Sequence, residues 1–214
     1  MIISTISIFF ILLVISINLQ GQTGRFFIGM GGFAKHSFPN GNANQELNIL
    51  EYSDTKSVTN ILDPGYEFIV GFRFTNRFDL LAGINSEIGH LYSSPYTYEL
   101  NFQQINYPLR LRYHFGSSQT FSNFIMVGVN WGKILQRDLS RDRTTWEHSY
   151  LEDWNDISPF NMEFGIGRSF SVTEKSNLIV NPYLSYELSK NEILKGFFNP
   201  ISLGIKISYE FNLK

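Results

Sequence analysis

Near its C-terminal end the chain sets Ile201, Leu203, Ile205, Ile207, Tyr209 and Phe211 on one side and Ser202, Gly204, Lys206, Ser208 and Glu210 on the other. A period of two with apolar and aromatic residues in one phase marks a strand with one greasy and one polar face. Its length constrains the fold more than its pattern does. It is one of eight such segments, approximately residues 25–38, 65–74, 78–92, 99–115, 121–135, 158–171, 178–189 and 197–213. Most reach or exceed the roughly 9 to 11 residues with which a tilted strand crosses a bilayer, whereas soluble strands centre on about 5 to 6. After Gly21 no helical period competes with this signal.

The connections alternate in length. Residues 75–77, 116–120 and 172–177 are tight and rich in turn formers, while 39–64 and 136–157 are long, polar and irregular. Short turns at one end and long loops at the other predict an all-β, eight-stranded antiparallel transmembrane up-and-down β-barrel, short turns periplasmic and long loops extracellular.

Facing follows strand by strand. Tyr66, Phe68, Val70, Phe72 and Phe74 oppose Glu67, Ile69, Gly71 and Arg73; Phe160, Met162, Phe164 and Ile166 oppose Asn161, Glu163, Gly165 and Gly167; Val180, Leu184, Tyr186 and Leu188 oppose Asn181, Tyr183, Ser185 and Glu187. A soluble ligand-binding barrel would show the same pattern turned inside out. Strand length, loop asymmetry and the bulk of the apolar face opposite Gly and Ser favour a lipid-facing exterior. So does energy: an arginine facing lipid at mid-bilayer costs about 2 to 4 kcal/mol, which Arg110 and Arg112 would incur together. The expected inward charges are therefore Glu67, Arg73, Glu87, Arg110, Arg112, Glu163, Glu187, Lys206 and Glu210. Pro108 lies in the same phase, and its missing N–H predicts a local break in the ladder. The phase slips from Leu100 and Phe102 to Ile105 and Tyr107, which predicts a bulge near Gln103 and Gln104. Arg168 and His90 fall in the outward phase, and Arg168 fits only if it snorkels at the periplasmic rim.

Residues 2–17 are almost wholly apolar and lead into a polar segment, as in a signal peptide cleaved after Gly21, which leaves 22–214 as one barrel domain. The competing reading, an uncleaved anchor, falls short of the roughly 20 residues of a spanning helix. A net charge of -2 offers no field for nucleic acid, and the absence of cysteine removes thiolate chemistry and the commonest structural zinc sites. The four histidines lack metal-ligand spacing, and "GMGG" at 29–32 sits within a strand, so no metal, cofactor or nucleotide site is expected. His36 with Ser37, His90 with Ser93 and Ser94, and His148 with Ser149 fall near the extracellular rim, where a lipid-modifying enzyme would carry its dyad; adjacency alone does not make one, and no catalytic residue is assigned. Eight strands enclose a lumen that side chains fill, so the inner charges read as an ion-paired plug rather than a conduction path. The loop over 136–157 carries Trp146, Tyr150 and Trp154, either as a solvated loop or as a partner-binding surface.

With the apolar leader, "INYPLRLRYHF" in mid-chain and the closing "PISLGIKISYEFNLK", the chain resembles the small outer-membrane β-barrel proteins of the Bacteroidetes type, often called PorT-like. The resemblance covers nearly all of 22–214. It implies an envelope protein in contact with outer-membrane lipid, porin-like in architecture, with a link to protein secretion and an envelope or secretion partner. Ser202, Gly204, Ile207 and Tyr209 are also similar to the signal read by barrel-assembly machinery, although the chain ends in Leu213-Lys214 rather than on Phe. A small-solute channel, an adhesin and a lipid-modifying enzyme are the competing functions.

Overall fold

The protein forms ten strands in the computed structural model, which describes residues 25–39, 57–60, 62–94, 98–116, 120–141, 144–146, 158–189 and 198–213. They are β1 (Arg25–Pro39), β2 (Ser57–Asn60), β3 (Asp63–Arg73), β4 (Phe78–Ser94), β5 (Tyr98–Phe115), β6 (Phe121–Arg141), β7 (Thr144–Trp146), β8 (Phe160–Thr173), β9 (Ser176–Glu187) and β10 (Phe198–Asn212). Eight of them close a barrel: β1, β3, β4, β5, β6, β8, β9 and β10 each pair antiparallel with their neighbours in the chain, and β10 returns to β1. Closure gives each of these eight strands a partner on both sides, so the ring itself has no open edge among the described residues. The expected fold class is the observed one.

β2 and β7 prolong the ring at its loop end, β2 on the side of β4 that β3 occupies and β7 on the side of β6 that β8 occupies. β2 pairs with the far end of β4, and β7 with the far end of β6. Residues 136–141, expected as loop, thus continue β6, because Tyr98–Gln103 of β5 pair with them on one side and β7 takes Leu139–Arg141 on the other.

The inner and outer phases are cleanly separated. β3 alternates buried and exposed from Asp63 to Val70, with Tyr66, Phe68 and Val70 outward and Glu67 and Ile69 inward. Five inward rings lie across glycines directly opposite them on the neighbouring strand: Phe27 on Gly71, Phe33 on Gly65, Phe102 on Gly89, Phe124 on Gly167 and Tyr183 on Gly204. A Cβ at any of these glycines would fall within the facing ring. Small apolar clusters complete the filling, Phe27 with Ile69 and Leu81, and Phe124 with Met126 and Ile179.

Two irregularities surround Pro108. Pairing of β4 with β5 lapses at Gly83 and Ile84, which fall opposite Pro108 and Tyr107, where the missing N–H cannot complete the ladder. The register shift at Gln103/Gln104 is present, but the extra residue is Leu135 on β6 and not a residue of β5. The expected phase slip within β5 is therefore incorrect: Phe102, Gln104 and Asn106 are all buried on the inner phase, and Phe102 turns inward because Gly89 leaves room for its ring.

Candidate functional site

The charges of the lumen are arranged in three tiers. At the short-turn end Asp79, fully buried at the start of β4, accepts hydrogen bonds from Arg73 Nε at 2.7 Å, from Arg112 Nη2 at 2.8 Å and from His114 Nε2 at 2.7 Å. Arg112 also grips Glu210 with two parallel bonds, Nη1 to Oε1 at 2.8 Å and Nη2 to Oε2 at 2.9 Å. Its guanidinium lies between the rings of Phe27 and Phe124, 5.4 and 5.2 Å from their centroids. Planar stacking and a forked pair suit arginine and not lysine.

At mid-height Arg110 reaches Glu67 at 2.6 Å and Glu163 at 2.7 Å, and Lys206 donates to both oxygens of Glu163 at 2.8 and 2.9 Å. Lys206 also stands 4.4 Å from the centroid of the Tyr183 ring. Two carboxylates and two cations cancel. Each member is under a tenth exposed, so this tier closes the middle of the barrel. At the loop end Lys35 pairs with Glu87, Ser37 donates to Asp63 at 3.5 Å, Asn106 donates to Asn85 at 2.9 Å, and Glu187 accepts from the backbone N–H of Phe160 and Ser189.

The structure thus brings Glu67, Arg110, Glu163 and Lys206 together, and Arg73, Arg112 and Glu210 together, while Glu87 and Glu187 stand in the outer tier. Sequence reasoning did not single out Lys35, Asp63, Asp79 or His114. Asp79 shares its parity with Glu87, but Leu80, Leu81 and Ala82 are apolar on both faces of β4 and blur the period. Arg168 is exposed on the outer wall near the short turns, bonded through Nε to Asn123 at 2.8 Å and packed 4.7 Å from the Phe121 centroid, the snorkelling position expected of it. The side chain of His90 lies outside the described residues.

Ser37 is buried inside, whereas His36 lies in the outward phase and packs edge-on against Phe38. Consecutive strand residues point to opposite faces, so these two do not form a dyad. Ser93 and Ser94 lie on β4, but their side chains are outside the described residues, as are His148 and Ser149. A different series exists at the other end: His114 Nε2 lies 2.7 Å from Asp79 Oδ2 and its Nδ1 lies 3.1 Å from the Ser122 hydroxyl. In acyl-transfer triads the carboxylate stabilises the imidazolium that forms. Here Asp79 is already neutralised by Arg73 and Arg112, which leaves little of its charge for that task. Among the described residues no cluster could hold a metal ion. Of the candidate loop residues, Trp146 ends β7, and Tyr150 and Trp154 lie outside the described residues.

No protein-family model matches the chain, and no curated protein does. Solved structures do. Neisserial surface protein A superposes with a TM-score of 0.54 at 10% identity, covering 88% of this chain and 97% of that one. A major outer membrane protein from Thermus thermophilus gives 0.56 at 8% identity, covering 90% and 100%. This chain has the fold of a small outer-membrane β-barrel. The outer membrane protein OprG from Pseudomonas aeruginosa, with a TM-score of 0.50 at 11% identity over 89% of this chain and 96% of that one, repeats the likeness. At such identities the barrel is what is shared.

Proposed function

We propose that this chain is an integral outer-membrane protein, exported by cleavage after Gly21, with its short turns in the periplasm and its long loops outside, serving as a non-enzymatic structural or interaction component of the envelope. The observation that carries this reading is the outer wall. Ile201, Leu203, Ile205, Ile207, Tyr209 and Phe211 of β10, and Met162, Phe164 and Ile166 of β8, are all exposed, whereas Glu163, Lys206 and Glu210 in the alternate phase are buried and paired. Water would not tolerate so continuous an apolar belt; lipid requires it. The fold shared with solved outer-membrane proteins supports the same address.

A plugged lumen leaves the loops and the rim to meet partners. The PorT-like resemblance supports a secretion link, and Trp146, Tyr150 and Trp154 are the residues proposed to touch an envelope or secretion partner; barrel-assembly machinery reading Ser202, Gly204, Ile207 and Tyr209 would insert the chain. The neutralised Asp79 favours this over a lipid-modifying enzyme, and the closed middle tier favours it over a solute channel. The deciding experiment is membrane fractionation followed by electrophoresis of boiled and unboiled protein. The expected result is a faster unboiled band that follows the outer membrane; an unshifted, soluble protein would invert the facing and make it a ligand-binding barrel.

A further inference from the structure

Two hollows meet at the short-turn rim. One, of about 380 Å³, opens at the mouth of the lumen between Arg73, Arg77, His114, Ser122, Ser169 and Asn177, and no described carboxylate lines it. The other, of about 550 Å³, runs along the outer wall over Phe78, Leu111, Ile125 and Val127 and is almost wholly apolar. Arg77 and Tyr113 line both. The apolar hollow has a firm end, because the rings of Phe74 and Phe78 stack at 5.8 Å and Tyr113 leans on Phe78 at 4.9 Å.

The charges sharpen the contrast. Arg73, Arg110, Arg112, Lys35 and Lys206 each meet a carboxylate inside the barrel. Arg77, held in its turn by its backbone N–H to Thr75 Oγ1 and its carbonyl to the N–H of His114, makes no side-chain ion pair with any described residue. A cation with no counter-charge among the described residues, beside hydroxyl and amide groups on one side and an apolar channel on the other, matches an amphiphile with an anionic head. An arginine fork is the preferred partner of phosphate.

We propose that the two hollows form one seat for a phospholipid with a net anionic headgroup, its phosphate on Arg77, its polar head toward Ser122, Ser169 and Asn177, and one acyl chain along Leu111, Ile125 and Val127. This rests on the reading of the chain as a membrane barrel with its short turns in the periplasm, and it assigns the lipid to the leaflet on that side.

The test uses the full chain refolded into nanodiscs containing equal phosphatidylglycerol and phosphatidylcholine, with retained lipid counted by native mass spectrometry. Phosphatidylglycerol is expected to be retained about tenfold over phosphatidylcholine, because both phosphates can reach Arg77 but only the choline ammonium would be set against the like charges of Arg73 and Arg77, with no described carboxylate lining the hollow to receive it. Arg77→Gln should erase the preference, and Val127→Trp, which fills the channel, should lower retention of both lipids. Soluble glycerol phosphate should not displace the lipid. Equal retention by a folded barrel, an unchanged preference in Arg77→Gln, or displacement by glycerol phosphate alone would each overturn the seat. Unboiled electrophoresis of the same samples separates the two readings: a shifted band without preference sinks the seat only, and an unshifted band sinks the membrane barrel and the seat with it.

Discussion

Arg112 holds a full charge where water does not reach, and it does so with both flanking carboxylates in hydrogen-bond contact. Glu210 takes two of its N–H groups, Asp79 takes two more, and the flat faces are covered by Phe27 and Phe124. Breaking such a pair leaves an uncompensated buried charge, which costs about 3 to 5 kcal/mol, whereas removing both members together costs far less. Arg112→Met is therefore expected to lower stability by that amount, and Arg112→Met with Glu210→Gln by clearly less than the sum of the two single changes. Urea unfolding in detergent micelles or vesicles measures it through a double-mutant cycle; strict additivity would mean the pair is uncoupled. Arg112 and Glu210 were legible because each sits in an unbroken alternation, "RLRYHF" and "KISYEF". Asp79, which also binds Arg73 and His114, was not: its importance comes from three strands meeting in space, and nothing local distinguishes it from a turn-end aspartate.

At the scale of strands, the repeated unit is an aromatic ring laid on the glycine opposite. Phe27 on Gly71 and Phe33 on Gly65 tie β1 to β3 in one register, because a slip of one residue would drive each ring into a neighbour's side chain and turn it to the wrong face. A methyl group at Gly71 would collide with Phe27, while at the outward Gly32 it would meet only the Gly65 carbonyl at 3.6 Å. Gly71→Ala is thus expected to cost about 1 to 3 kcal/mol, as overpacking does, and Gly32→Ala to stay within about 0.5. Equal shifts in the unfolding midpoints of the two variants would refute the locking role. The strands themselves were readable from period and turn residues, to within a few positions at most ends. The pairs were not, since register is a relation between distant segments, and inward Phe27, Phe33 and Phe102 make both faces of their strands look apolar. That is also why Phe102 read as outward and the bulge was placed on β5 instead of β6.

For the molecule as a whole, eight strands set a lumen that side chains can fill, and the neutral middle tier of Glu67, Arg110, Glu163 and Lys206 fills it. An ion crossing there would have to displace charges that already satisfy one another at 2.6 to 2.8 Å. The wild-type barrel is therefore expected to show no discrete conductance steps in planar bilayers. Replacing all four residues with serine removes the bulk and the ion pairs together without stranding a single buried charge, which keeps the variant foldable on the same grounds that favour the double change at Arg112 and Glu210. It should conduct in steps. If wild type and variant conduct alike, the path bypasses the middle tier and the plug is not what closes this barrel; if the variant folds by unboiled electrophoresis yet stays silent, the aromatic–glycine layers above and below suffice to seal it.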